Sequence, residues 1–453
     1  MLLSKGSVSL LSFLAPQHKP KCLIHITISP FCLLNGSNIS SSSLKPRRFA
    51  VLGAGFAGMS VAWHLLQQSA RELSLCIDIY DELGIGGGAS GVAGGLLHPY
   101  SPKAKLLWKG AQCWEEAMVM LSIAEAAKDE GSFAQDLKDL VSQHIFDGPI
   151  VWKRGIIKPI TAMKSIDIMK KNIQDCLPSC PLELLDSFAI QKILPGLSAP
   201  SGFAIYMPKA VNVHPERYLQ ALFLACNKLV KDLSAVGYSG KQVNFYKQTV
   251  HSLQEISGEY SAVVICLGAR SESLPELKGV LPLRMCRGVV AHLDLPGNMS
   301  GGEYKDSDPS ILADAWLAVR GPRSLAMGST WQWGSRNYSR TLSSDEESSA
   351  MHELLSKASI LYPDIRNWSC ESASAGLRAM PPLTTLGSLP LLGSVDNLVG
   401  HNSGGGGRYW FMGGLGARGL LYHGWLGKLM AQAVLSCSAA EIPFELTTWK
   451  NRM

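Results

Sequence analysis

No aspartate or glutamate precedes Glu72 in this 453-residue sequence, whereas Lys5, Lys19, Lys21, Lys45, Arg47 and Arg48 all do. The leader is also serine-rich ("NISSSSLKPRR"). A basic, acid-free, serine-rich leader has the composition of an organelle transit peptide. Residues 1–45 are therefore expected to be a disordered targeting segment. Plastid is the first expected address, mitochondrion the second, and cytoplasm if the tail carries no address. The competing reading is a secretory signal, with Lys5 before "VSLLSFLAP". Against it stand Pro16, the charges that follow and the basic stretch up to Arg48.

Other absences narrow the class. No run of 18 apolar residues occurs, so no membrane-spanning helix is expected. The 11 cysteines are irregularly spaced and contain no CxxC pair, which argues against a disulfide frame or a zinc site. Buried thiols in a reducing compartment, and no metal, are expected instead. The body holds no block of Lys and Arg that would mark a nucleic-acid face, although weak RNA contact stays open. Charged residues are only 17% of the chain and hydrophobic ones 46%, a globular composition. The length suggests two or three domains and is ample for a large core.

What is present begins with "FAVLGAGFAGMSVAWHLLQQSARELSLCIDIYDE". Phe49–Leu52 reads as a short apolar strand, Met59–Gln67 as a helix and Leu75–Tyr80 as a second strand. Between the first two, Gly53, Gly55 and Gly58 form GxGxxG. Gly53 allows the tight strand-to-helix turn. Gly55 lets the backbone approach a pyrophosphate, which faces the helix N-terminus. Gly58 lets the helix pack closely on the sheet. Asp81 ends the second strand, where an acid accepts hydrogen bonds from a ribose diol, and Glu82 is the fallback. Strand, helix, strand and acid in this order point to dinucleotide binding. A small-residue stretch follows, "GGGASGVAGGLLHPYSP" (Gly86–Pro102), then "LLWKGAQCWEEAMVMLSIAEAA", which is helix-like.

This order resembles the D-amino-acid oxidase superfamily of FAD enzymes, the group with glycine oxidase and sarcosine oxidase. The GASG loop looks most like that of the flavin domain of the bacterial tRNA-modifying protein MnmC. The resemblance implies non-covalent FAD, held by Gly53, Gly55, Phe56, Ala57, Gly58, Asp81, Glu82, Gly88, Ala89, Ser90, His98 and Val243. Gly268 follows the strand Ala262–Leu267, and "LPLRMCRGVVAHLD" (Leu281–Asp294) resembles a strand whose Arg284, Arg287 and Gly288 lead into the substrate domain. In "RYWFMGGLGARGLLYHGW" the resemblance adds Gly414, Gly416, Ala417, Arg418, Gly419 and Leu420, close to the Gly-Ser-Arg-Gly-Leu pattern of MnmC. A helix dipole there stabilises negative charge on reduced flavin.

In "SAGLRAMPPLTTLGSLPLLG" (Ser374–Gly393), relatives hold the substrate carboxylate with an arginine, and Arg378 fits that position. A guanidinium pairs bidentately with a carboxylate and stays charged. Ala379 replaces the family's proline, and an Asp usual further on is missing near Leu386 and Gly387, so substrate identity stays open. The plain alternatives are an ion-pair role for Arg378 and a loop-capping role for Arg418. His64 reads as a packing or surface residue, Trp331 and Trp333 as aromatic core with pocket lining as the alternative, His214 as part of the turn before Pro215, and His401–Gly407 as a hairpin tip.

The resemblance implies an α+β flavoprotein, with a Rossmann-like α/β FAD domain and a smaller antiparallel-sheet substrate domain. The expected FAD domain is 46–115, 210–290 and 375–450, and the substrate domain 116–209 and 291–374. The expected reaction is oxidation of the C–N bond of an amine or amino acid bearing a carboxylate, with Arg378 and Arg418 as catalytic residues. Oxygen or another acceptor would reoxidise the flavin. Two other readings accompany it: an FAD-binding assembly factor with little turnover, and tRNA wobble-uridine oxidation as in MnmC.

Overall fold

The computed structural model describes residues 46–129, 147–297, 305, 307–400 and 408–452. The expected leader and the expected hairpin tip at 401–407 lie outside the described residues. Along the chain come β1 (Arg47–Leu52), α1 (Phe56–Gln68), β2 (Leu75–Tyr80), the one-turn α2 (Ala89–Val92), β3 (Leu96–Leu97) and α3 (Gly110–Asp129). Next are β4 (Val151–Trp152), β5 (Ile156–Pro159), α4 (Ile166–Gln174), β6 (Glu183–Asp186), α5 (Ser187–Ile193), β7 (Phe203–Met207), β8 (Val211–Val213) and α6 (Pro215–Ala235). The middle holds β9 (Lys241–Tyr246), β10 (Ala262–Ile265), β11 (Arg284–Asp294), β12 (Ser310–Ile311), β13 (Trp316–Gly321), β14 (Ser324–Gly328), β15 (Gln332–Trp333) and α7 (Ser344–Leu361). Last are β16 (Ser369–Met380), β17 (Leu383–Thr384), β18 (Gly387–Ser388), β19 (Leu391–Ser394), β20 (Tyr409–Gly413) and α8 (Gly419–Ser436).

Two sheets position the site. The first runs β19-β20-β10-β1-β2-β9 and is parallel except for β19 against β20. Its central strands are mostly apolar because both faces are covered, with Asp78 of β2 buried on an ion pair to Arg48 at 2.6 Å. Phe49 and Val51 enter the core shared with α1, α3, α6 and α8, while Ala50 and Leu52 enter a second core beneath Leu253, Leu277 and Trp449. The helix α1 is buried from Phe56 to Leu66 and mainly apolar on every side, as an enclosed helix is. It lies so close to α8 that a side chain at Gly427 would strike Ser60. The Ser60 hydroxyl donates to the His423 carbonyl at 2.7 Å across that contact.

The second sheet runs β15-β11-β14-β13-β12-β5-β7-β6, with β16 along the other edge of β11. All of its pairs are antiparallel except β12 with β5. One face packs with Leu354 and Ala358 of α7, which starts on a Ser343 cap followed by Asp345, Glu346 and Glu347. Acids in a first helical turn suit the positive end of the helix dipole. Helices and sheets are mixed as the α+β expectation requires. The observed α1 starts three residues earlier than the glycine spacing suggests, because the turn at Gly53 is sharp enough for Phe56 to begin the helix.

Candidate active site

A cavity of about 750 Å³ opens along the carboxyl ends of the parallel strands and runs under the second sheet. That volume lies in the ~300–1,000 Å³ range of small-molecule and cofactor sites. Its first end is the turn between β1 and α1. Gly53 has φ +103°, a left-handed conformation that L side chains rarely adopt. A side chain at Gly58 would strike the Gly53 carbonyl, so this glycine sets how closely α1 approaches β1. The N-cap residue, Gly55, has no side chain with which to cap α1. A helix N-terminus lined by glycine and opening on a cavity suits a phosphate group.

The acid at the end of β2 braces the same turn. Asp81 accepts from the amides of Ala54 (2.9 Å) and Leu83 (2.9 Å), while burial pushes its carboxyl pKa up. A carboxylate has about four acceptor positions, so capacity remains for a ribose hydroxyl. Glu82, the fallback, is already engaged: Arg270 pairs with it at 2.5 Å and Thr249 donates to it at 2.9 Å. Ser90, in α2, accepts from the Phe56 amide at 3.1 Å and ties the GASG turn to α1.

The other end of the cavity gathers arginines. Arg418 is partly buried, and desolvation lowers its pKa. One Nη1 hydrogen reaches the Tyr100 carbonyl at 3.1 Å. No carboxylate pairs with it among the described residues. His98 lies beside it, buried, with Nδ1 accepting from the Tyr100 amide at 3.3 Å. Burial, and the neighbouring Arg418, push His98 down to about 3, so its imidazole is neutral at working pH.

Arg378 sits on β16 opposite Cys286 of β11. Its Nε donates to the Cys286 carbonyl (3.4 Å), Nη1 to Ser329 Oγ (3.2 Å), and Nη2 to the Thr330 carbonyl (2.9 Å) and weakly to Cys286 Sγ (3.6 Å). The Trp331 ring stacks on it at 4.1 Å. A side chain at Gly288 would collide with the guanidinium, which explains the glycine after Arg287. Every partner is neutral, and burial lowers the Arg378 pKa. The ion-pair alternative thus finds no carboxylate among the described residues. Four of the five N–H groups are spent on the protein, so one Nη1 hydrogen and the Ser329 hydroxyl hydrogen are left for a ligand. This differs from the open bidentate fork that the sequence suggests.

Of the residues expected at the site, Gly53, Gly55, Phe56, Ala57, Asp81, Glu82, Gly88, Ala89, Ser90, His98, Gly268, Arg378, Gly414, Gly416, Ala417, Arg418, Gly419 and Leu420 line this one cavity. Gly58 stands behind the wall, packed on Gly53. Val243 does not reach the cavity. It pairs with Ile77 on the edge strand β9 and packs against the core. Arg287, 1% exposed, pairs with Glu346 at 2.7 Å and supports the sheet. His64 is buried in packing, and His214 caps α6.

Trp331 and Trp333 correct the expectation of aromatic core: they are 44% and 51% exposed. The two-residue β15 pairs only with the start of β11, which carries the indoles past the covered part of the sheet. Sequence reasoning missed Thr249, Arg270, Asp314, Trp316, Tyr338 and Arg340, which also line the cavity. Thr249, Asp314, Tyr338 and Arg340 lie in connections, Trp316 opens β13 and Arg270 follows Gly268 by two residues; none has a motif of its own, and only the fold brings them in.

The chain matches known proteins along nearly its whole described length. It is 23% identical over 400 residues to the "Uncharacterized oxidoreductase YurR" of Bacillus subtilis, covering 86% of this chain and 95% of that protein. The glycine oxidase of Geobacillus kaustophilus superposes with a TM-score of 0.64 at 18% identity, covering 88% of this chain and 98% of that one. The iminodiacetate oxidase of Chelativorans sp. BNC1 superposes at 0.58 and 18%, with the same coverage. The family model described as "FAD dependent oxidoreductase" matches residues 48–433.

Proposed function

Since the chain belongs to the DAO family of FAD-dependent oxidoreductases, we propose that it oxidises the C–N bond of an amine or amino acid bearing a carboxylate. The observation that carries this reading is the pair of partly buried guanidinium groups, Arg378 and Arg418. Both line one cavity, and neither has a carboxylate partner among the described residues. Desolvated cations with neutral partners favour an anionic ligand. Glycine and iminodiacetate, the substrates named for two structural neighbours, are amines with carboxylates.

The residues fit FAD. The N-terminus of α1 and the glycine turn would hold the diphosphate, Asp81 the ribose, and the Gly414–Gly419 turn with the start of α8 the flavin. FAD supplies the two-electron acceptor when bound. The protein's own part is to bind and orient. Arg418, with most of its donors free, and Arg378 with Ser329 would fix the carboxylate and so the α-carbon beside it. Two nearby cations also disfavour an ammonium, so the amine is held neutral, the form whose nitrogen lone pair is available. No side chain then has to remove that proton. Water hydrolyses the imine product.

The test is anaerobic reduction of the bound flavin, followed as loss of its visible colour, with glycine, sarcosine, proline and carboxymethylaminomethyl compounds. Bleaching by at least one, and none by its decarboxylated analogue, is expected. Equal bleaching by the two members of a pair overturns the reading.

A further inference from the structure

The connection from β15 to α7 is gripped by Arg287 and laid along the outer edge of β16. The Arg287 guanidinium donates from Nη1 to the carbonyls of Asn337 (3.1 Å) and Ser339, and from Nη2 to that of Thr341 (3.5 Å). The Arg340 carbonyl accepts from the Ala375 amide at 3.0 Å. Tyr338 packs on Leu377, donates to the Ala269 carbonyl at 3.5 Å and lies 5.0 Å from the Arg270 guanidinium. This strap thus reaches from the second sheet to the turn after β10, and Tyr338 and Arg340 both line the cavity.

Among the described residues, four arginines and no lysine line the cavity. Arg378 and Arg418 stand at its far end. Arg270 is paired with Glu82 at 2.5 Å. The half-buried Arg340 side chain has no hydrogen bond or ion pair among the described residues. We propose that Arg340 binds the FAD diphosphate, as a cofactor ligand carried in by the strap. The inference rests on the placement of the diphosphate at the β1–α1 turn and holds whichever amine is oxidised. Position along β16 supports it. Ala375 is three residues from Arg378, about 10 Å along a strand. It adjoins Gly376, where a side chain would strike Ala89 of the GASG turn. Ser90 in turn ties that segment to the Phe56 amide at the start of α1. The guanidinium also faces this side of the sheet. Burial and Arg320, and after them Arg340, hold His292 down to about 4, and His292 shares with Val290 the side of β11 that meets Val92 of α2. Charge gives the second support. Asp81 and Glu82 line this end of the cavity, while the N-terminus of α1 supplies only about half a positive charge. A diphosphate there calls for a full cation, and Arg340 is the arginine at this end that no carboxylate has taken.

The test follows release of FAD from the holoprotein, read as the rise in flavin fluorescence after dilution, with no substrate present. Arg340→Gln is expected to release FAD about 10- to 150-fold faster than wild type, the worth of one hydrogen bond to a charged group. Arg340→Lys should recover part of the loss, because an ammonium keeps the charge without the fork. Raising salt from about 0.05 to about 0.5 M should speed release from the wild type several-fold and from Arg340→Gln by less, because an ionic contact is screened. An arginine that only supported the strap would leave the two salt responses alike. Release as slow as wild type in Arg340→Gln, equal rates for the Gln and Lys variants, or the same salt response in wild type and Arg340→Gln overturns the assignment. An unchanged Arg340→Gln beside a colourless Gly55→Val overturns the role of Arg340 alone, whereas flavin retained in both overturns the placement of the diphosphate.

Discussion

Replacing Arg378 with alanine gives the most direct reading of the site. Because four of its five N–H groups are bound by Cys286, Ser329 and Thr330, the substrate gains one charge-assisted hydrogen bond from it. Hydrogen bonds to charged groups are worth about 1.5–3 kcal/mol. Arg378→Ala should therefore lower kcat/KM for a carboxylated amine by about 10- to 150-fold. The matched decarboxylated amine has nothing to lose and should change little. Flavin content should be unaltered, since the contacts of Arg378 are to β11 and the turn after β14. Arg378→Lys should recover part of the loss, because an ammonium keeps the charge but not the stack on Trp331. The assay is stopped-flow flavin reduction without oxygen, wild type against both variants, with each amine pair. Equal losses for both amines would refute the reasoning and move Arg378 to a supporting role.

Arg418→Ala should cost more, on the order of 30- to 5,000-fold in kcat/KM, because its single protein bond leaves a fork free and a truncated buried charge pair costs about 2–5 kcal/mol; a smaller loss than for Arg378→Ala in the same assay would contradict this. Gly55→Val should give colourless protein with native-like circular dichroism, since its side chain is directed at Ser90 Oγ and the phosphate turn; retention of yellow colour would count against FAD at this turn. His64, His98 and His423 are buried and pushed down to about 4, 3 and 4, so each stays neutral in the fold and charges near 6.5 when unfolded. Their contribution is fully present above pH 6.5 and lost as pH falls towards 4, at up to about 1.4 kcal/mol per pH unit per group; urea midpoints at pH 7.5, 6 and 5 should fall steadily, and His423→Gln should flatten the slope. We also propose that residues 1–45 address the chain to plastids or mitochondria; a fluorescent fusion of that segment should enter an organelle, and diffuse fluorescence would end the idea.

Where local rules suffice, the sequence is readable. The β1–α1–β2 unit, its three glycines and Asp81 follow from spacing alone, because neighbouring elements in a parallel unit are also neighbours in space. The glycine turn before α8 is legible for the same reason. What failed depends on distant partners. The degree to which Arg378 is already bonded is decided by Ser329 and Thr330, 49 and 48 residues away. The exposure of Trp331 and Trp333 depends on how far β15 extends beside β11, and apolar composition cannot report that. Val243 is apolar and in the right strand, yet it faces the core because its partner is Ile77.

The close fit of Ser60 and Gly427 also sets an order of events during synthesis. Ser60 bonds to the carbonyl of a residue 363 positions further along. At roughly 5–20 residues per second, the ribosome delivers that partner about 20–70 seconds after the first helix emerges. In that interval the nascent chain holds a complete phosphate turn with one wall missing, and the bare side of α1 is the kind of surface chaperones hold. Closure of the nucleotide site is therefore a late event, which waits for α8 to emerge. A chain cut short before α8 would carry the whole glycine fingerprint and still have no place to keep its cofactor.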